Sequence, residues 1–188
     1  MFPDFLENPS DVAAPLLLGC TLTRTITLNG EKHKLVARIV ETEAYDQDDP
    51  ASHAFGGPSE RNTAMFGSAG HLYVYVSYGM HHCCNVVCGP KGFGSGCLVR
   101  AVEPLEGVEV MRELREAGRA GKEQAERARK HPLKLRDLTN GPGKVCAALG
   151  IDKELYGHEL TVEPLVLEFA PLLPGETIGC SPRVGISK

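Results

Sequence analysis

The segment 38–45, Arg-Ile-Val-Glu-Thr-Glu-Ala-Tyr, places two carboxylates two residues apart. Its β-branched residues predict a strand, in which every second side chain points to the same face. Glu41, Glu43 and Tyr45 would then share one face near the end of that strand. Two carboxylates in this position, beside an aromatic ring and a long loop, could carry out general acid–base catalysis. A solvent-facing pair of carboxylates would give the same pattern, so the spacing alone leaves both interpretations open.

Tyrosines are concentrated in the same half of the chain. Four of the five tyrosines lie within 34 residues, namely Tyr45, Tyr73, Tyr75 and Tyr78. Tyr73 and Tyr75 share one face of a predicted strand, and Tyr78 begins a predicted turn over 78–80. Aromatic faces can enclose a planar ligand, and an exposed ring can insert between stacked bases. Ordinary packing within a sheet is the alternative for at least one of these rings.

A histidine and cysteine cluster resembles a metal site by its content. It consists of His81, His82, Cys83 and Cys84, with Cys88 four residues further on. Neighbouring residues on a strand point to opposite faces, and the sequence has no Cys-x-x-Cys pair, so the spacing does not favour zinc. The odd total of seven cysteines, without a secretory signal, favours reduced thiols that pack as small core residues.

Two glycine-rich segments differ in what they could bind. The segment 92–96 is not a phosphate loop, because no Gly-Lys-Ser/Thr follows it. The segment 140–144, Asn-Gly-Pro-Gly-Lys, precedes a predicted helix. Its backbone amides could hold a phosphate, or the segment could simply begin the helix.

Hydrophobic periodicity and turn residues predict the elements that position these side chains. Asn29-Gly30 is a strong hairpin signal between strands at 21–28 and 34–43. The irregular stretch 46–70 is long for a compact domain, which is typical of a functional loop. The other predicted elements are strands at 71–77, 82–88, 97–102, 160–168 and 177–184, and helices at 10–18, 106–119, 123–130 and 144–149.

Composition limits the class of protein. The 188 residues, 42% hydrophobic and 23% charged, are typical of one globular domain spanning 1–188. The apolar runs are too short for a membrane span, and no secretory signal is evident. The net charge of −4 argues mildly against a nucleic-acid partner. However, a basic helical segment is predicted at 106–136. Its part 112–136 holds nine basic and four acidic residues, and such a local basic face can coexist with a negative total charge.

Several motifs together resemble those of the alkyladenine (3-methyladenine) DNA glycosylase family, in its bacterial form. Their order and spacing along nearly the whole chain make the resemblance specific, whereas the segment 38–45 alone would be weak support. The matching segments are 38–45, 51–53, 61–62, 65–66, 72–75, 78–80, Asn85, 98–107, 140–144 and 183–185.

The resemblance implies an α+β single domain, with a curved, mainly antiparallel β-sheet and flanking helices, similar to the C-terminal domain of tRNA formyltransferase. It also implies a monofunctional base-excision repair enzyme that needs neither cofactor nor metal and acts as a monomer. Its substrate would be double-stranded DNA that contains alkylated or deaminated purines, of the 3-methyladenine, 7-methylguanine, hypoxanthine and ethenoadenine class. The damaged base would be flipped out of the duplex and its N-glycosidic bond hydrolysed. The expected location is the bacterial cytoplasm and nucleoid, or the nucleus in a eukaryote, with no membrane partner.

The resemblance also assigns catalytic roles to three residues. Glu43 would be the general base that activates the attacking water. Arg100 and the backbone carbonyl of Val184 would help to position that water and the nearby phosphate. Glu41 would then be a supporting carboxylate and not a second catalyst.

Further residues of the resemblance would bind the base and the DNA. Tyr45 and Tyr75 would enclose the flipped base, and His53 would hydrogen-bond its edge. Asn85 would obstruct normal guanine, whose exocyclic amino group would clash there. Tyr78 would fill the gap left in the duplex. The remaining implied DNA contacts are Met80 and Lys144.

Two departures and two alternatives accompany the resemblance. Chains of the family usually continue past 183–185 into a further strand, so a shortened C-terminus is expected here. His81 stands where the family often has an aromatic residue. One alternative is a module that binds lesions or RNA without cutting, which would need no buried carboxylate at Glu43. The other is a metal–thiolate protein built on 81–88, which a metal assay would test.

Overall fold

Six strands form one antiparallel sheet. A computed structural model describes residues 4–117 and 133–183 of the protein. The strands are β1 (Thr21–Leu28), β2 (Glu31–Asp46), β3 (Leu72–Ser77), β4 (His81–Val87), β5 (Ser95–Glu106) and β6 (Leu165–Glu168). Their order in the sheet is β3-β4-β5-β2-β1-β6, and each neighbouring pair is antiparallel. The sheet is curled into a half-barrel, so the α+β prediction with a curved antiparallel sheet is confirmed.

Four short α-helices accompany the sheet in the described part of the chain. They are α1 (Ser10–Leu16), α2 (Val108–Ala117), α3 (Leu135–Leu138) and α4 (Pro142–Leu149). Three single 3-10 turns lie at Asp4–Glu7, Thr63–Phe66 and Lys153–Leu155. Helix α4 ends at Gly150, which adopts the left-handed conformation at φ 58° and ψ 42°, as the sequence predicts. Within the described ranges, no helix is long and apolar enough to cross a bilayer.

The Asn29-Gly30 hairpin is confirmed. Both residues have positive φ, 52° and 85°, the backbone twist that suits a two-residue turn between antiparallel strands. The register runs without interruption from Leu28 opposite Glu31 to Thr21 opposite Arg38. Strand β2 then continues to Asp46, three residues beyond the predicted end at 43. This extension carries the segment 38–45 across the middle of the sheet.

Two apolar clusters hold the domain together. The larger one packs helices and sheet through fully buried side chains such as Leu17, Leu22, Ile39 and Leu149. It also holds most of the cysteines: six of the seven are buried free thiols, and Cys180 alone is exposed. The smaller cluster consists of Ala54, Met65, Tyr73 and Val87 and lies beneath the long loop that follows β2. The loop therefore has its own packed base, which fixes its position relative to β3.

The two strands predicted near the C-terminus, at 160–168 and 177–184, differ from the structure. Of the predicted strand 160–168, only Leu165–Glu168 pairs, with β1 as its neighbour. The predicted strand 177–184 is absent over its described part, 177–183, where the chain is irregular. Three prolines between 169 and 183 remove backbone donors that a ladder would need. The chain instead passes so close to Gly19 that a Cβ there would lie 2.9 Å from the backbone oxygens of Ala170 and Pro171. Other predictions, including the helix at 123–130, lie outside the described residues.

Candidate active site

An irregularity in the central strand pair positions the two glutamates. The register between β2 and β5 shifts between Ile39 and Thr42, and on the β5 side it passes over Arg100. Such bulges redirect side chains, and they are frequent beside active sites. Here Glu41 points outward, half-exposed, whereas Glu43 is only 7% exposed. Both carboxylates nevertheless contact the same arginine, as expected if they lie on one face of the strand.

Arg100 bridges the two carboxylates. Its Nε lies 3.2 Å from Glu41 Oε1, and its Nη1 lies 3.5 Å from Glu43 Oε1. On the other side, the Tyr45 hydroxyl donates a hydrogen bond of 2.9 Å to Glu43 Oε2. Burial, followed by this bond to Glu43, raises the pKa of Tyr45 to about 12, so the hydroxyl stays protonated. A buried carboxylate is thus held by one cation and one hydroxyl donor, which stabilise its charged form.

A cavity opens beside Tyr45. It encloses about 340 Å³ of empty space, part of it continuous with solvent. Aromatic and small apolar side chains dominate its walls, with one amide. The lining residues are Tyr45, Ala51, His53, Met65, Tyr73, Tyr75 and Asn85. Four of the residues to which the sequence assigned base contacts, Tyr45, His53, Tyr75 and Asn85, therefore line one pocket, which we call the base pocket.

His53 forms the rim of this pocket together with two tyrosines. The rings of Tyr73 and Tyr75 stack at 5.7 Å, and the His53 ring meets Tyr75 edge-on at 4.5 Å. His53 Nδ1 lies 2.9 Å from the Tyr73 hydroxyl. Burial raises the pKa of Tyr73 to about 12, while burial and the charge of Arg61 lower the pKa of His53. Either tautomer of the neutral imidazole can make this bond, and the tautomer that accepts from the Tyr73 hydroxyl carries its proton on Nε2, where it can donate to a ligand.

Asn85 lies at the floor of the base pocket. It is 4% exposed, and its amide donates a long bond of 3.5 Å to the Tyr73 carbonyl. Burial, and then the neighbouring Cys83 thiol, raise the pKa of Tyr75, so this wall is neutral as well. The pocket thus combines neutral aromatic walls with one rigid polar group, which suits a flat heteroaromatic ligand.

An exposed turn stands beside the pocket at the junction of β3 and β4. Tyr78 is 87% exposed and Met80 is 74% exposed. Tyr78 and Gly79 both have positive φ, 49° and 69°, which fixes a tight turn with the ring directed away from the sheet. The start of α4 lies next to this turn, because a Cβ on Gly143 would lie 3.0 Å from His81 Cβ. Lys144, one residue further on, is partly exposed and hydrogen-bonded to Asn140 at 2.6 Å.

The cysteines and histidines of 81–88 do not converge. Within 4–117 and 133–183, no three His, Cys, Asp or Glu side chains are placed to hold a metal ion. Cys83 is paired with the Tyr75 hydroxyl, and burial raises the pKa of its thiol to about 11. Cys84 lies on the opposite face, where it interacts with Cys146. Their alternation on β4 follows the spacing argument made from the sequence.

Comparison with known proteins identifies the family. A model of the methylpurine-DNA glycosylase (MPG) family matches residues 4–188. The chain belongs to this family. Membership makes the chain a DNA glycosylase, a hydrolase of DNA repair that acts on DNA. The family resemblance inferred from the motifs is thereby confirmed.

Three relatives illustrate the extent of the similarity. A protein of Nitrosospira multiformis is 45% identical over 98% of this chain and 82% of its own length. One from Chlorobaculum parvum is 48% identical over 98% of this chain and 80% of its length. One from the archaeon Methanoculleus marisnigri is 42% identical over 98% of this chain and 87% of its length. Each bears the name "putative 3-methyladenine DNA glycosylase".

Within this DNA glycosylase, the structure adds residues to which the sequence assigned no role. Tyr73 fixes His53, and Arg183 contacts Tyr45 from the C-terminal tail. The alternating Leu-Tyr-Val-Tyr pattern could have indicated Tyr73, whereas no local pattern could have placed Arg183 against a residue 138 positions earlier. Val184, the remaining predicted catalytic residue, lies outside the described residues.

Proposed function

We propose that this DNA glycosylase flips alkylated or deaminated purines out of duplex DNA and hydrolyses their N-glycosidic bond with a water activated by Glu43. The observation that carries the proposal is the buried Glu43 carboxylate, which accepts a hydrogen bond from Tyr45, a wall residue of a pocket with neutral aromatic walls. A protein that only binds DNA has no need of a carboxylate at 7% exposure next to its ligand pocket, because an anion there repels phosphate.

Base capture would use the pocket and the exposed turn together. A flipped purine would lie between Tyr45 and Tyr75, and His53 Nε2 would donate a hydrogen bond to its edge. Tyr78 would occupy the space that the flipped base leaves in the stack. Flipping costs a few kcal/mol, and less where damage has already weakened the pairing, so damaged bases are favoured at this step. Asn85 would act against guanine, whose exocyclic amino group would meet its buried side chain.

The chemical step requires one water and one general base. The water oxygen bonds to C1′ of the flipped nucleotide, and the C1′–N9 bond breaks with its electron pair leaving on the purine. Glu43 takes the proton from the water, and its negative charge stabilises the oxocarbenium-like sugar. Arg100 holds Glu43 in place at 3.5 Å. No lysine nucleophile is needed, which is consistent with a monofunctional enzyme.

Single-turnover release of hypoxanthine or 3-methyladenine from a lesion duplex tests the proposal. Glu43→Gln keeps the shape of the side chain but removes the base, so we expect a rate loss of about 10²- to 10⁴-fold with lesion affinity largely retained. Glu41→Gln is the matched control on the same strand. It should lose less than about tenfold, since general-base catalysis is left in place.

Two results would contradict the proposal in different ways. Glu43→Gln cutting at the wild-type rate would remove Glu43 from the mechanism. Wild-type protein that binds the lesion duplex but releases no base would favour the non-catalytic binding module.

A further inference from the structure

Arg183 joins the C-terminal tail to the wall of the base pocket. Its guanidinium carbon lies 4.7 Å from the centre of the Tyr45 ring. Its Nη1 donates to the Ala44 carbonyl at 3.1 Å and forms an ion pair with Asp49. These contacts surround the residue whose ring would lie against the flipped base, and one of them is to the backbone immediately before it.

The guanidinium approaches Tyr45 from outside the base pocket. Arg183 does not line that pocket but lines a separate groove between the tail and β2, together with Glu43 and Ala44. The guanidinium covers one face of the Tyr45 ring, so a base would have to stack on the opposite face. One face of the Tyr45 ring thus contacts a cation, and the other face borders the base pocket.

Asp49 sets how much of that positive charge the ring experiences. The hydrogen bond from Arg183 lowers the pKa of Asp49, and the same bond raises the pKa of Arg183, so both groups are charged at neutral pH. Asp49 lies in the loop just after β2 and is 22% exposed, and Arg183 lies in the tail and is 30% exposed. At this exposure, solvent weakens the attraction between Arg183 and Asp49 without cancelling it.

We propose that the Arg183–Asp49 pair, acting through Tyr45, sets the preference of the base pocket between cationic and neutral purines. The inference rests on the proposed function. An aromatic face attracts a cation through its quadrupole, and a second cation on the opposite face opposes that attraction. Arg183 therefore reduces the advantage of a cationic base such as 3-methyladenine, and Asp49 restores part of it. Arg183 is a positioning and specificity residue and takes no part in the chemical step.

Two substitutions should shift this preference in opposite directions. Arg183→Gln removes the cation and leaves Asp49 unopposed, so affinity for a 3-methyladenine duplex should rise relative to a hypoxanthine duplex, by roughly three- to tenfold. Asp49→Asn leaves the cation unopposed and should lower the same ratio. Arg183→Lys keeps the charge and should lie close to the wild-type ratio.

Fluorescence anisotropy in a Glu43→Gln background measures the equilibrium affinity for each duplex without cleavage. The two affinities give this ratio. The ratio is insensitive to the fraction of folded protein, so a variant that merely loosens the tail lowers both affinities and leaves the ratio unchanged. Arg38→Gln is the matched control, because Arg38 forms the other arginine–tail ion pair, with Glu176, away from the base pocket.

Opposite shifts in Arg183→Gln and Asp49→Asn, with no shift in Arg38→Gln, support the inference. An unchanged ratio, or shifts in the same direction, overturn it. Excision by the wild-type chain is measured separately on the same two duplexes. Failure of excision alone rejects the proposed hydrolysis, whereas failure of the ratio alone rejects the role of the Arg183–Asp49 pair.

Discussion

His53 illustrates how single residues are tuned in this protein. Its ring lies at the rim of the base pocket and shares a hydrogen bond with Tyr73, while burial and the charge of Arg61 lower its pKa. A neutral imidazole has one N–H and can donate to only one partner. The donor that His53 offers to a base therefore depends on its neighbours Tyr73 and Arg61.

Arg61→Gln tests this dependence. Removing the nearby cation eliminates one cause that lowers the pKa of His53, so that pKa should rise toward its ordinary value of about 6.5. The measurement is an NMR titration of the His53 ring protons. Lys34→Gln, which changes a surface cation paired with Glu106, should leave the titration unaltered. A His53 pKa that does not move in Arg61→Gln would contradict a Coulombic contribution from Arg61.

The residues of the candidate site were predictable to different degrees. The placement of Glu41 and Glu43 on one face follows from strand alternation. Their unequal burial does not, because it depends on where the register between β2 and β5 shifts. The motif resemblance supplied the choice of Glu43. Arg183 received no role, since its contact with Tyr45 depends on the path of the tail and not on any local pattern.

The β3–β4 turn shows what one element contributes. Its two left-handed residues, Tyr78 and Gly79, direct an exposed ring outward between two paired strands. Because the turn joins two hydrogen-bonded strands, Tyr78 is held more firmly than a residue on a free loop would be. The element therefore provides rigidity as well as an aromatic side chain.

Tyr78→Ser should weaken lesion-duplex binding by about tenfold or more, because stacking of a base on an aromatic ring contributes about 1–3 kcal/mol. The single-turnover rate at saturating protein should change much less, since the ring lies outside the base pocket. Binding isotherms and rapid-quench kinetics separate the two quantities. Leu105→Ser, at another exposed apolar position, serves as the control. Equal affinities of Tyr78→Ser and wild-type protein would count against insertion into the duplex.

Elements with strong local signals were predicted well, and those fixed by distant contacts were not. The Asn29-Gly30 hairpin and the Gly150 helix end depend on the backbone freedom of one or two residues, which the sequence displays directly. The tail at 177–183 has strand-like composition in part but forms no strand. Ion pairs from Arg38 and Arg183 hold it across the sheet instead.

At the scale of the whole molecule, net charge is a poor guide to the partner. The total is −4, yet the chain belongs to a family of DNA glycosylases. Acidic groups are needed inside the site, and basic groups need only be concentrated on the face that meets DNA. Modest non-specific affinity with a steep dependence on salt is therefore expected, and the base pocket would supply discrimination.

Lys144→Gln tests the location of the DNA-binding face. Lys144 is partly exposed at the start of α4, next to the Tyr78 turn. If it contacts a phosphate, its loss should reduce the slope of log K against log salt by about 0.9. Lys34→Gln removes the same charge near the start of β2, and it should leave the slope at its wild-type value. Identical slopes for Lys144→Gln and wild-type protein would exclude Lys144 from the interface.

The path of the tail has a consequence for how the protein is made. The segment 169–183 follows all six strands of the described sheet along the chain, and Arg183 stands at its end. On a ribosome, the sheet and the base pocket can therefore be complete before the support behind Tyr45 has emerged. A nascent chain would hold Glu43, Arg100 and Tyr45 in place but lack the Arg183–Asp49 pair. The contribution of the Arg183–Asp49 pair would thus be added only after the sheet has formed.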